Sequence, residues 1–146
     1  MILRDTNVVS AMMMPAPPGP IIKWLNHQET VTLFLSTITI GEIAYGLAVL
    51  ADGSRRRSLA QRFDRFVADG FEQRVLDFHR RAALDYGEVM SRRRAMGRPL
   101  TALDGQIAAV ACVNHLAVAT RNVRDFEHCD IDLVNPFESG DPRPSV

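Results

Sequence analysis

Short apolar stretches that suit strands alternate with helix-periodic stretches along the chain, and that alternation limits the fold more than any other feature. The strand candidates are Ile2-Leu3, Thr32 to Leu35, Arg74 to Asp77, Ala117 to Thr120 and Leu133-Val134. Parallel neighbours need a long crossover, usually a helix, so the alternation predicts an α/β protein: a mostly parallel sheet with helices on both faces. At 146 residues the chain is long enough for one such domain.

The first stretch matters most. Ile2-Leu3-Arg4 leads into Asp5, and Thr6 and Asn7, which favour turns and helix caps, follow at once. Asp5 is therefore expected at the carboxyl end of a central strand, the edge where open α/β sheets bind ligands. Ser10 to Met14 continue a short helix into Pro15-Ala-Pro-Pro-Gly-Pro20, an exposed connection expected to hold neither helix nor strand. Ile21, Ile22, Trp24 and Leu25 resume helical spacing, and helices are expected from Thr37 to about Leu50, from Ser54 to Val67 and from His79 to Met96. Asp52-Gly53 separates the first two, and Gly97 and Pro99 end the third. Thr101-Ala-Leu-Asp104 opens the most apolar helix, to Asn114, and Arg121 to Asp125 read as a polar turn. Residues 139–146, with Pro142 and Pro144, are expected to be a disordered tail.

Three carboxylates share one setting. Asp5, Glu42 and Asp104 each stand where a strand or loop gives way to a helix, and Asn122 or Asp125, just past the strand ending at Thr120, would add a fourth position. If the strands are parallel neighbours, these positions fall on one edge of the sheet. Crowded carboxylates repel strongly unless a cation neutralises them, and an all-oxygen donor set suits Mg²⁺ or Mn²⁺. Each acid taken singly has a plainer explanation. Thr39 with Glu42 and Thr101 with Asp104 match the capping-box spacing, and Asp5 suits the cap of the helix behind it.

These motifs together resemble the PIN-domain family: Asp5-Thr-Asn, Glu42 opening a helix, Asp104 ahead of Ile-Ala-Ala, and Ala-Thr-Arg-Asn-Val-Arg-Asp-Phe before Asn135-Pro136-Phe137. Within the family the chain is most similar to the VapC/FitB-type toxins of bacterial toxin–antitoxin systems. The resemblance implies a three-layer α/β/α sandwich, a single nuclease domain over residues 1–138, and a Mg²⁺- or Mn²⁺-dependent endoribonuclease that leaves a 5′-phosphate and a 3′-hydroxyl. Carried over by position, Asp5, Glu42 and Asp104 match the metal-binding acids, and Thr6 and Thr120 match hydroxyls near the metal. Asn122 stands where many relatives have Asp, with Asp125 positioned to restore the charge. Arg4 is a second departure, since relatives usually carry an aliphatic residue there. The partners it implies are an RNA substrate, a small DNA-binding antitoxin and further copies of the chain.

The remaining features restrict these expectations. Basic and acidic residues balance at 17 each, so no global field gathers a polyanion, and RNA contact rests on local patches. Arg121 and Arg124 lie beside the expected site, and Arg92, Arg93, Arg94 and Arg98 end the long helix, where complementing its dipole is an equally physical role. Cys112 and Cys129 match neither a disulfide framework nor a zinc site, and no run is long and apolar enough for a membrane span, so a cytoplasmic location is expected. A phosphohydrolase or phosphorelay receiver would need a late lysine, whereas Lys23 is the sole lysine. A rival within the family is a catalytically weak module acting only through its antitoxin and DNA, a reading that Asn122 favours.

Overall fold

The computed structural model describes residues 1–138, so the expected tail at 139–146 lies outside the described residues. Five strands, β1 (Ile2–Arg4), β2 (Leu33–Ser36), β3 (Val75–Leu76), β4 (Ala117–Ala119) and β5 (Leu133–Val134), form one sheet in the order β3-β2-β1-β4-β5. Every pairing is parallel. Seven α-helices among the described residues carry the crossovers: α1 (Thr6–Met12), α2 (Gly19–Asn26), α3 (Thr37–Ala48), α4 (Ser54–Phe71), α5 (Arg80–Ala95), α6 (Ala102–Asn114) and α7 (Val123–Phe126). None is long and apolar enough to cross a membrane.

Alternation along the strands divides the core in two. Ile2 is in register with Leu33 and Ala117, and these pack with Val8, Val9, Trp24, Phe63 and Phe71 from α1, α2 and α4. Leu3 is in register with Val118 and faces the other way, against Ala82 and Val89 of α5 and Ile107, Val110 and Ala111 of α6. The result is the expected three-layer α/β/α sandwich. α6 lies close against α5 because residue 105 is glycine: a Cβ there would stand 2.5 Å from the Met90 sulfur and 3.0 Å from Tyr86.

Several local expectations are corrected. The proline-rich loop is shorter than its composition predicts, since Pro18 caps α2 and Pro20 sits in its first turn, where a missing N–H costs nothing. α4 runs on to Phe71, whose ring packs on Phe66 at 5.2 Å between centroids. The turn after β4 holds the short helix α7, and α1 already ends at Met12.

Arg4 is the one charged residue of β1, and its side chain enters the apolar layer beside α4. It is 1% exposed, its guanidinium carbon lies 4.1 Å from the Phe71 ring centroid and 5.5 Å from that of Phe66, and Nη1 contacts the Met12 sulfur at 3.1 Å. Among the described residues Nε and Nη2 have no hydrogen-bond partner. Burial, aided by the nearby Arg74 charge, holds its pKa down to about 9, so it stays cationic at neutral pH. A buried guanidinium needs a partner or an exit to solvent, and here aromatic faces take the partner's place.

Candidate active site

From β1 the chain builds β2 and β3 on one side and then returns to add β4 and β5 on the other. The order reverses between β1 and β4, where an open parallel sheet leaves a crevice at its carboxyl edge. Asp5 and Thr120 are the first residues beyond these two strands. The Asp5 amide donates to the Ala119 carbonyl at 3.0 Å, which extends the ladder to the lip of the crevice.

The Asp5 carboxyl is buried and held by donors from both strand ends. Oδ1 accepts from the Thr6 amide at 2.7 Å, so Asp5 does cap α1. Oδ2 accepts from the Thr120 hydroxyl at 2.8 Å and from Asn7 Nδ2 at 2.7 Å. Thr120 Oγ1 in turn accepts from the Asn122 amide at 3.0 Å, while Asn7 Oδ1 accepts from the Arg121 amide at 3.1 Å. Asn7, noticed in the sequence only as a turn former, is thus the bracket that joins the two loops. The available signal was its place inside an unbroken Asp-Thr-Asn triplet at a strand end.

Glu42 reaches the site differently from the capping pattern. Ser36 caps α3 by accepting from the Thr39 amide at 3.1 Å, which places Glu42 in the second turn, free of the expected pairing with Thr39. Its carboxylate instead accepts a hydrogen bond from the Thr6 hydroxyl. Asp104 keeps the expected cap: its amide donates to Thr101 Oγ1 at 3.1 Å, and that hydroxyl donates to Asp104 Oδ2 at 2.7 Å.

The three acids interact through space. Burial raises the Asp5 pKa above the usual carboxylate range; hydrogen bonds from Thr120 and Thr6 oppose that rise, and the charges of Asp104 and Glu42 add to it. The net result is a value of about 6. Among the described residues no three His, Cys, Asp or Glu side chains converge into a ready-made metal cluster. By donor chemistry the set still fits a hard divalent cation, because its carboxylates and hydroxyls are all oxygen ligands and the buried, mutually repelled Asp5 is stabilised by a positive charge.

Asn122 and Asp125 lie at the start of α7 and within it. Asn122 is joined to Thr120 through its backbone, and Asn122 and Asp125 line an outer cleft of about 540 Å³ with Arg121 and Arg124. Asp125 is not among the charges that shift Asp5. Around the end of α5, Arg92, Arg93 and Arg98 are committed to structure, and neither a phosphate contact nor a solvated helix end describes Arg93. It is 3% exposed, Nε donates to the Arg98 carbonyl at 2.7 Å, and Nη1 donates to the Glu127 carbonyl. Arg98 pairs with Glu127 at 3.0 Å, and Arg92 pairs with Asp130.

The chain resembles known proteins in sequence and in fold. The PIN domain family model matches residues 2–131. The chain is 36% identical over 138 residues to the VapC ribonuclease Y4jK of Sinorhizobium fredii, covering 94% of this chain and 99% of that one. It is 34% identical over 137 residues to Toxin FitB of Neisseria gonorrhoeae, with 94% and 99% covered. Among solved structures, a chain of FitAB bound to an IR36 DNA fragment superposes with a TM-score of 0.90 at 33% identity, covering 97% of this chain and 99% of that one.

Proposed function

Because the chain belongs to the PIN-domain family, we propose that it is a divalent-metal-dependent endoribonuclease and the toxin half of a toxin–antitoxin pair. The observation that carries this reading is the Asp5 carboxyl, buried at the switch point of the sheet and sensing Glu42 and Asp104 from two other elements. Asp5, Asp104 and Glu42 would hold Mg²⁺ or Mn²⁺. Such an ion, when bound, lowers the pKa of water and stabilises the departing oxygen of an RNA phosphodiester.

The chain's own groups do the orienting. Thr120, Asn7 and the Thr6 amide fix the Asp5 carboxyl, and the Thr6 hydroxyl fixes Glu42. Donors arranged this way keep Asp5 accepting and ionised at neutral pH, as a ligand must be. Asn122 and Asp125, which line the adjoining cleft, would hold the attacking water by hydrogen bonds. In-line cleavage there leaves the 5′-phosphate and 3′-hydroxyl that the resemblance implies.

The partners follow from the same reading: a small antitoxin that carries the DNA-binding half, and self-association, as in a FitAB-like assembly on DNA. A second reading, a catalytically weak module acting through that assembly, is favoured by the neutral amide of Asn122. The deciding experiment compares antitoxin-free protein with Asp104→Asn on a mixed RNA pool, with Mn²⁺ or with EDTA. Cleavage is expected only from the unmodified protein with metal, and equal cutting by both would mark a contaminant. Calorimetry with Mn²⁺ separates the second reading, since a dead site binds weakly or not at all.

A further inference from the structure

Arg121 is exposed, yet it is not a free cation waiting for a phosphate. Its guanidinium carbon lies 3.8 Å from the centroid of the Phe137 ring, the shortest cation–ring contact among the described residues. Both members are held from behind. The Arg121 amide donates to Asn7 Oδ1, and Asn7 donates to Asp5, so Arg121 sits two hydrogen bonds from the central carboxyl. On the other side, the Phe137 amide donates to Asn135 Oδ1 at 3.1 Å and Asn135 Nδ2 donates to Glu138 Oε1 at 2.8 Å, a local turn that aims the ring. Phe137 also packs against the first core layer, which fixes it further.

Arg121 lines the cleft of about 540 Å³ that also holds Asn122, Arg124, Asp125, Asn135 and Glu138. That volume falls in the roughly 300–1,000 Å³ span of small-ligand sites. A guanidinium seated 3.8 Å over a ring can offer its outer face for a third layer. Unstacked bases of single-stranded RNA stack on Arg planes and on aromatic rings, and do so with little dependence on base identity. Arg124 supplies a positive charge in the same cleft, and the Asn and Asp side chains supply polar groups for a base edge.

We propose that Arg121, backed by Phe137, is a stacking platform that seats one nucleobase of the RNA beside the carboxylate centre, completing a ring–guanidinium–base sandwich. The platform rests on the ribonuclease reading. It assigns Arg121 a positioning role through its plane as well as its charge, and it gives Phe137 a part in substrate binding. Lysine therefore does not replace Arg121, because it keeps the charge and loses the plane.

The test uses the full chain and short RNAs that carry 2-aminopurine at each position in turn, bound in EDTA and then cleaved with Mn²⁺. Wild type is expected to quench the fluorophore at one position. Arg121→Lys and Phe137→Leu are expected to abolish that quenching and to raise KM roughly tenfold, the size of one lost stacking contact. kcat should stay within a factor of about three in both variants, and the melting temperature should hold in Arg121→Lys, whose side chain is exposed. Quenching and KM unchanged in Arg121→Lys overturn the platform. So does a fall in melting temperature and kcat with KM unchanged, which would make the pair a fastening for the last turn. Quenching without any cleavage by wild type removes the ribonuclease reading and leaves the platform, whereas cleavage without a quenched position removes the platform alone.

Discussion

The Thr120 hydroxyl, from the end of β4, donates to Asp5 Oδ2 at 2.8 Å across the reversal point of the sheet. Thr120 is fully buried, and its oxygen also accepts from the Asn122 amide, so one atom orients the central acid and the turn that follows. Thr120→Val keeps the shape and removes both bonds together with the one that the hydroxyl accepts from Asn7 Nδ2 at 3.2 Å. Mn²⁺ affinity or cleavage is expected to fall roughly 10–100-fold, the usual effect of losing a group that orients a ligand. A Mn²⁺ titration by calorimetry with a parallel cleavage assay checks this, and unaltered affinity and rate would contradict it.

Asp5 sets an unusual pH dependence for the metal-free protein. Its pKa rises from 3.8 to about 6 on folding, so the folded state binds the proton more tightly than the unfolded chain. The resulting penalty is absent below the unfolded value, grows between the two values and is complete above about 6, where it reaches at most about 3 kcal/mol. In EDTA, the Asp5 contribution to stability should therefore increase as the pH falls from 7 towards 4. Melting curves of wild type and Asp5→Asn across that range isolate the effect, since their difference should change with pH in this direction.

Arg4 predicts a gain from losing a charge. It is 1% exposed between Phe71 and Phe66 with no acid beside it among the described residues. Replacing such a group with an apolar side chain of similar volume is often neutral or stabilising by roughly 1–4 kcal/mol. Arg4→Met is expected to raise the urea midpoint with the slope unchanged. A lower midpoint would mean that the two rings compensate the buried charge fully.

Asn122 predicts a gain in metal affinity. Its amide nitrogen is already placed by Thr120, and only the side chain lacks a charge. Asn122→Asp adds a carboxylate at the mouth of the site, and ligand charge count is a main determinant of divalent-ion affinity. Mn²⁺ binding should tighten by roughly tenfold on that basis. Isothermal titration decides it, and unchanged or weaker binding would place this side chain outside the ion's reach.

The strand and helix pattern was legible because each crossover is a separate periodic run, and β1 to β5 follow it closely. The capping of Asp104 by Thr101 was legible for a similar reason, since both partners lie within one turn. For Glu42 the plainer local pairing with Thr39 does not form: Ser36 takes the Thr39 amide, and the acid turns to Thr6, 36 residues away. Local spacing carries no record of that choice. Asn7 and Phe137 escaped for the same reason, as their partners Asp5, Thr120 and Arg121 meet only after the sheet closes. Arg93 shows the opposite error, a run of like charges that hides one buried member.

The bond between Asn7 and Thr120 spans 113 residues of chain. A nascent polypeptide that has emerged only as far as α6 already carries Asp5, Glu42 and Asp104, yet it lacks the strand that completes the crevice and the hydroxyl that aims the first acid. A half-made copy on the ribosome therefore lacks the hydroxyl that orients the Asp5 carboxyl, and the crevice is assembled only once synthesis is almost finished.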